Sequence, residues 1–128
     1  MNDAQRHLAM AFALHTSRAI VAADGRTDYN EFQLLGTIYP RPMLRDEGLI
    51  DAHGADMPAL ELALARVSEL RALPEEDRLD LLVLLHGAAM VDDDLDRREW
   101  AVLQAAAEDL GLTADDLLRR IKRDEAAG

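Results

Sequence analysis

The feature that most constrains the fold is an acidic turn that occurs twice, each time between two apolar helical patterns. Each turn carries three acidic residues at the same spacing, and the two sets lie 68 positions apart (92 − 24): Asp24, Asp28 and Glu31, followed by Asp92, Asp96 and Glu99. Apolar positions repeat at the same offset, because Phe32 corresponds to Trp100 and Leu35 to Leu103. The chain is therefore predicted to contain two copies of one helix–acidic turn–helix unit.

The composition favours an all-α fold for these units. Of the 128 residues 49% are hydrophobic but only 4% aromatic, and Ala and Leu supply most of the apolar side chains. These two residues are strong helix formers, whereas the β-branched and aromatic residues that suit strands are scarce. We expect one domain over residues 1–128, a single compact bundle of six or seven helices. Its two halves, about residues 3–40 and about residues 74–111, are expected to be related by a pseudo-two-fold axis.

Local signals indicate where the helices lie. In a first helix at residues 3–23 the apolar side chains go almost all the way round, which predicts a central position in the bundle. Residues 43–54 have a weaker pattern, typical of a short helix. Pro58 begins a helix that is expected to continue to residue 72, and Pro74 begins the apolar helix that precedes the second acidic turn.

The charge of the chain restricts its partners. A formal net charge of −11 repels the phosphate backbone, so nucleic acid is not expected, whereas cations or a basic face of another protein are favoured. Thr113 and Asp116 have the spacing of a capping box for the last helix, and the basic residues at 119–123 are expected near its C-terminal end. We interpret these basic residues as charge balance on a helix surface.

Cysteine usage and hydropathy bear on the compartment. The chain has no cysteine, which excludes disulfides, thiolate zinc sites and a cysteine nucleophile. No apolar stretch approaches the roughly 20 residues that span a bilayer, and the N-terminus lacks the pattern of a signal peptide. We therefore expect a cytoplasmic protein without membrane insertion.

The acidic turns are the candidate site. Asp28 and Asp96 are suited to cap the helices that follow, and capping explains Glu31 and Glu99 as their partners three residues on. Capping does not explain Asp24 or Asp92, which fall at the C-terminal end of a helix, where the macrodipole disfavours a negative charge. Either solvent separates these carboxylates, or they hold a divalent cation such as Ca²⁺, Mg²⁺, Mn²⁺ or Zn²⁺. An EF-hand is excluded, because a loop counted from Asp92 would need glycine at position 97 and glutamate at position 103.

Two segments, VAADGRTDYNEFQLLG at residues 21–36 and MVDDDLDRREWAVLQAAAEDLGL at residues 90–112, resemble the TerB-like tellurite-resistance domain, which also occurs at the N-terminus of DjlA-type co-chaperones. The resemblance covers nearly the whole chain. It implies an all-helical bacterial bundle that acts as a partner module in stress-response systems associated with membrane complexes. It also implies metal binding by the six acidic residues of the turns: Asp24, Asp28, Glu31, Asp92, Asp96 and Glu99. The second turn departs from the family pattern, since Asp93 follows Asp92 where Asp-Gly is usual.

Three functional interpretations follow from these features. In the first, the chain is a non-enzymatic module that binds a protein partner or senses a cation. In the second, it is a metal-dependent hydrolase in which clustered carboxylates hold the ion and His15 or His86 is the base. The third is a structural homodimer with an exposed apolar patch at Trp100 or at residues 40–49. His7 and His53 are expected to be exposed and without a role.

Overall fold

The chain is all-α in the computed structural model, which describes residues 1–24, 31–36, 38–90 and 97–127. Helices account for 77% of the described residues. No β-strand occurs in these ranges, although Ile50 and Asp56 form an isolated antiparallel bridge. The helical elements, in chain order, are α1 (Asp3–Asp24), α2 (Glu31–Leu35), α3 (Arg41–Asp46), α4 (Pro58–Leu64), a 3₁₀ helix (Val67–Ala72), α5 (Glu75–Ala89), α6 (Arg97–Asp109) and α7 (Ala114–Ala127).

Helix α1 is the centre of the bundle, as its apolar pattern predicts. Seven consecutive residues, 8–14, are each between 0% and 4% exposed, so nearly two full turns of the helix are enclosed on every side. The helix contacts α2, α4, the 3₁₀ helix, α5 and α6. A capping box begins it: the backbone N–H of Gln5 donates to Asn2 Oδ1 at 2.8 Å, and the backbone N–H of Asn2 donates to Gln5 Oε1 at 3.0 Å.

Helix α5 is the second apolar helix, and it begins directly after Pro74 as expected. Glu75, Glu76 and Asp77 occupy its first turn, where the positive end of the macrodipole favours carboxylates. Leu82 and Leu85 are fully buried against the core. The helix contacts α1, α2, α6 and α7, so it links the two ends of the chain.

The helix predicted from Pro58 to residue 72 is interrupted, and this prediction is wrong in its second half. Helix α4 ends at Leu64, and the chain continues as a 3₁₀ helix from residue 67. A 3₁₀ helix has three residues per turn, so side chains three apart lie on one face. This geometry aligns Val67, Leu70 and Leu73, of which the two leucines are buried. Burial of this face explains the change of helix type.

The C-terminal end of α6 is capped by a glycine and by an arginine of the 3₁₀ helix. Gly111 has φ +73, in the left-handed region, and the next backbone N–H, that of Leu112, donates to the carbonyl oxygen of Ala107 at 2.8 Å. Arg71 donates to the carbonyl oxygens of Glu108 and Asp109, at 3.1 and 3.0 Å. These guanidinium contacts satisfy carbonyl groups that have no partner within the helix.

Helix α7 begins with the predicted capping box, because Thr113 and Asp116 exchange hydrogen bonds between backbone N–H groups and side-chain oxygens. The expected position of its basic residues is wrong. The helix runs on to Ala127 and has no basic residue in its last turn, so the residues at 119–123 lie in its middle. None of the described helices is both long and apolar enough to cross a membrane.

Candidate functional site

Most of the predicted acidic site lies outside the described residues. Asp24 is the last residue of α1 and Glu31 is the first of α2. Their carboxyl groups, and the whole of Asp28, Asp92 and Asp96, fall outside the described part of the chain. The convergence of the six carboxylates on one ion therefore stays a prediction.

Glu99 is the member of the predicted set whose side chain is described. It lies in the first turn of α6 and is only 5% exposed, which makes it the one acidic side chain among the buried residues of the described ranges. Burying a carboxylate is costly unless its charge is compensated, and the N-terminal end of a helix offers a partial positive charge. Glu99 therefore lies at the start of α6 with a buried carboxylate at the positive end of the helix.

The histidines do not assemble into a common site within the described ranges. His15 is exposed on α1 and lines a cavity of about 120 Å³ together with Asp109 of α6. His86 is half-buried on α5, and burial lowers the pKa of its imidazole from the usual 6.5. No group of three or more histidine, aspartate or glutamate side chains among the described residues is arranged to hold a metal ion.

His7 differs from its expected state, whereas His53 is exposed as expected. The Nδ1 atom of His7 lies 2.9 Å from Glu47 Oε2, and both side chains are partly buried. This contact ties the first turns of α1 to the residue that ends α3. It is a structural link between elements far apart in sequence, and sequence spacing gave no indication of it.

An apolar groove lies between α2 and α5, and we call it the α2–α5 groove. Its volume is about 400 Å³. It is lined by uncharged residues of both helices and of the turn after α2: Gln33, Leu34, Ile38, Val83, Leu84, Gly87 and Ala88. An uncharged surface of this extent is notable on a chain with 30% charged residues.

Leu84 is the projecting side chain of this groove. It is 49% exposed, while Leu34 and Ala88 beside it are buried and Val83 and Ile38 are half-buried. Gly87 follows one turn later on the same side of α5, and a Cβ atom built there would meet no described atom within 4 Å. Sequence analysis missed this surface because α5 is apolar on nearly every side, a pattern that predicts burial all round.

The homodimer with an apolar patch at Trp100 or at residues 40–49 stays a prediction. Trp100 is half-buried and packs against the core. Within residues 40–49, Met43 is an exposed large apolar side chain. Leu62, Met1 and Leu84 are more exposed than either, at 68%, 59% and 49%.

A second groove of about 420 Å³ lies between α1 and α4. Arg18 crosses it and donates two hydrogen bonds to the carboxylate of Asp56, at 2.9 and 2.6 Å. Met57, Leu60 and Leu64 provide apolar lining. Arg18 and Asp56 already form hydrogen bonds with each other. A ligand in this groove would therefore have to compete with that ion pair for polar contacts.

Basic and acidic side chains form an ion-pair cluster between α5 and α7. Arg120 is central to it, with a side chain 13% exposed, and pairs with Asp80, with Glu76 at 3.2 Å and with Asp124 at 3.2 Å. Arg123 pairs with Glu76 at 3.0 Å. The mutual pairing agrees with the interpretation of the basic residues as charge balance.

Comparison with known proteins adds no assignment. No protein-family model matches the chain, and neither a curated protein nor a solved structure is significantly similar to it.

Proposed function

We propose that this chain is a non-enzymatic, cytoplasmic helical module that binds a protein partner through the α2–α5 groove. The observation that carries the proposal is the half-exposed side chain of Leu84 beside a groove whose described lining residues are all uncharged. Contiguous exposed apolar surface on a soluble domain is characteristic of protein-interaction sites. A groove between two helices is also a common site for an apolar helix face of a partner.

We also propose that the chain is a pseudo-two-fold bundle of the TerB-like type, with six or seven helices. Two observations support the symmetry. Helix α1 contacts α2 as α5 contacts α6, and the crossed pairs α1–α6 and α2–α5 are also in contact. The residues related by the 68-position offset have similar environments: Leu35 and Leu103 are fully buried, and Phe32 and Trp100 are partly buried against the core.

An affinity experiment tests the interaction. The purified chain is immobilised and exposed to extract of the native cells, beside two variants that each add one negative charge to an exposed leucine, Leu84→Glu and Leu62→Glu. We expect a bound protein with the unchanged chain and with the Leu62 variant, and its loss with the Leu84 variant. Binding that survives Leu84→Glu would place the interaction elsewhere and contradict the proposal.

A second candidate function is cation sensing by the two acidic turns. It is supported by the burial of Glu99, because an inward-facing carboxylate at the edge of an aspartate-rich turn would supply a fixed oxygen ligand for a hard cation. We propose Asp24, Asp28, Glu31, Asp92, Asp96 and Glu99 as the ligands of one or two divalent ions. The same module would then bind its partner in a cation-dependent way.

Calorimetry and thermal unfolding test the cation. We expect Ca²⁺, Mg²⁺, Mn²⁺ or Zn²⁺ at about 1 mM to raise Tm, because an ion that binds the folded state alone stabilises it. Asp92→Asn should reduce that rise, and Asp46→Asn, a substitution of an exposed residue on α3, should leave it unchanged. Absence of heat and of any change in Tm with all four ions would contradict this candidate.

A further inference from the structure

We propose that the occupant of the α2–α5 groove is a second copy of this chain, bound as a symmetric dimer. This inference rests on the proposed function, which assigns protein binding to the groove, and it names the partner. In the dimer the α5 helices cross near Gly87, and Leu84 of each copy enters the groove of the other.

The surface around the α2–α5 groove carries both halves of a complementary contact. In a two-fold interface the same patch serves both partners, so it must contain a projection and a matching depression. Leu84 is the projection, exposed to 49%. The depression lies directly beside it, between Leu34 and Ile38 on one side and Val83 and Ala88 on the other.

Gly87 also favours a close approach of two α5 helices. Glycine inside a helix costs about 0.5–1 kcal/mol relative to alanine. Among the described residues nothing approaches within 4 Å of the space that a Cβ would occupy, so their packing does not require glycine at this position. The lack of a side chain would instead allow the backbone of a second helix to come close.

The net charge of the chain restricts how two copies can meet. Each copy carries a formal charge of −11, so two copies repel one another unless their contact surface avoids charge. Within the described part of the chain the α2–α5 groove meets this condition, since the residues that line it there are uncharged. A basic partner, which the acidic chain would otherwise attract, gains no ion pair from these described lining residues. The groove therefore suits an uncharged apolar patch, such as the same patch of a second copy, better than a basic face.

Sedimentation velocity as a function of protein and salt concentration tests the dimer. We expect a monomer–dimer equilibrium whose Kd falls as NaCl rises from about 0.1 M to about 1 M, because screening shortens the Debye length from about 10 Å to about 3 Å. Leu84→Glu should raise the Kd about tenfold or more, as expected for a central interface side chain. Leu62→Glu, which adds the same charge at a leucine that is 68% exposed on α4, should change the Kd much less.

Gly87→Ala separates an interface role from a structural one. Alanine favours the helix, so Tm of the dilute monomer should rise. The added methyl group should at the same time raise the dimer Kd. A rise in Tm with an unchanged Kd would show that the α5 helices do not meet at Gly87, and circular dichroism of each variant checks that the fold is retained.

The outcomes distinguish this inference from the proposed function. A chain that stays monomeric at all salt concentrations, or a Kd that rises with salt, overturns the dimer. Equal effects of Leu84→Glu and Leu62→Glu also overturn it. If another protein from the extract still binds in a way that depends on Leu84, the groove keeps its proposed function and only the identity of the partner is wrong.

Discussion

Arg78 shows how a single side chain joins distant parts of this bundle. Its guanidinium donates from Nε to the carbonyl oxygen of Leu73, at 3.1 Å, and from Nη1 to that of Leu110, at 2.9 Å. One residue near the start of α5 thus links the segment before that helix to the end of α6. Both carbonyl groups lie at helix ends, where backbone partners are lacking.

We expect Arg78→Ala to destabilise the fold by about 1–3 kcal/mol, the usual cost of leaving polar groups at such a site without partners. Urea unfolding followed by circular dichroism measures the change. Arg66→Ala is the control, because Arg66 pairs with Glu69 on the surface of the 3₁₀ segment, with both side chains more than half exposed. A loss no larger for Arg78→Ala than for Arg66→Ala would refute the capping role.

His86 gives a prediction about pH. Burial lowers the pKa of its imidazole below 6.5, so the unfolded chain binds the proton more readily than the folded chain. The resulting contribution to the free energy of unfolding is complete above pH 6.5 and decreases as the pH falls through the lower pKa of the folded state. Urea unfolding at a series of pH values should show this decrease, and His86→Gln should remove it. The exposed His53 is the control: if His53→Gln removes the decrease equally, His86 is not its source.

At the scale of the elements, α7 is attached to the bundle by a short apolar face and by a set of ionic contacts. Leu117 is its fully buried side chain, and Ile121 is half-buried. The pairs of Arg120 and Arg123 with residues of α5 provide most of the described polar contacts between the two helices. Ion pairs whose carboxylates are about half exposed are screened by salt and individually weak.

Arg120→Ala should therefore loosen α7 by about 1 kcal/mol at low salt, and by less at high salt. Amide hydrogen exchange is the suitable measurement, because it resolves individual helices. Exchange should accelerate in α7, while α1, which packs mainly against other helices, stays protected. The exposed Lys122 on the same helix is the matched control. Uniform acceleration in all helices would mean that Arg120 supports the whole fold.

The starts of the helices could be predicted from sequence because capping is local chemistry. Pro58 and Pro74 precede or begin helices as expected, and the exchange of hydrogen bonds between Thr113 and Asp116 follows from their spacing. The interruption after Leu64 could not be predicted, since it depends on which face of the next segment the core buries. Local propensity does not contain that information.

The α2–α5 groove could not be predicted for a related reason. The residues around Leu84 form a continuous apolar run, which from sequence alone is typical of a fully buried helix. The bundle covers Leu82 and Leu85 but leaves the side of Leu84 partly open. Conversely, the acidic turns were visible from sequence as a repeat, and of their side chains the structure describes Glu99.

At the scale of the whole molecule, an acidic chain carries a groove whose described lining residues are uncharged. The charge of −11 keeps copies of the chain apart in most orientations. In the proposed dimer, apolar side chains of the groove would meet, and the described residues that line it would bring no like charges into contact. A strongly charged exterior would in this way restrict self-association to a single geometry, and a cation at the acidic turns would reduce the repulsion further.

Methyl NMR of the isotopically labelled chain during dilution tests the central claim most directly, because it locates the contact without a substitution. Between about 1 mM and about 10 µM, a range that spans weak dimer affinities, we expect methyl shifts to change at Leu34, Ile38, Val83 and Leu84. The methyl groups of Leu62 should not move. Shifts that are independent of concentration, or that change at Leu62 and not at Leu84, would contradict the assignment of the α2–α5 groove as the interaction surface.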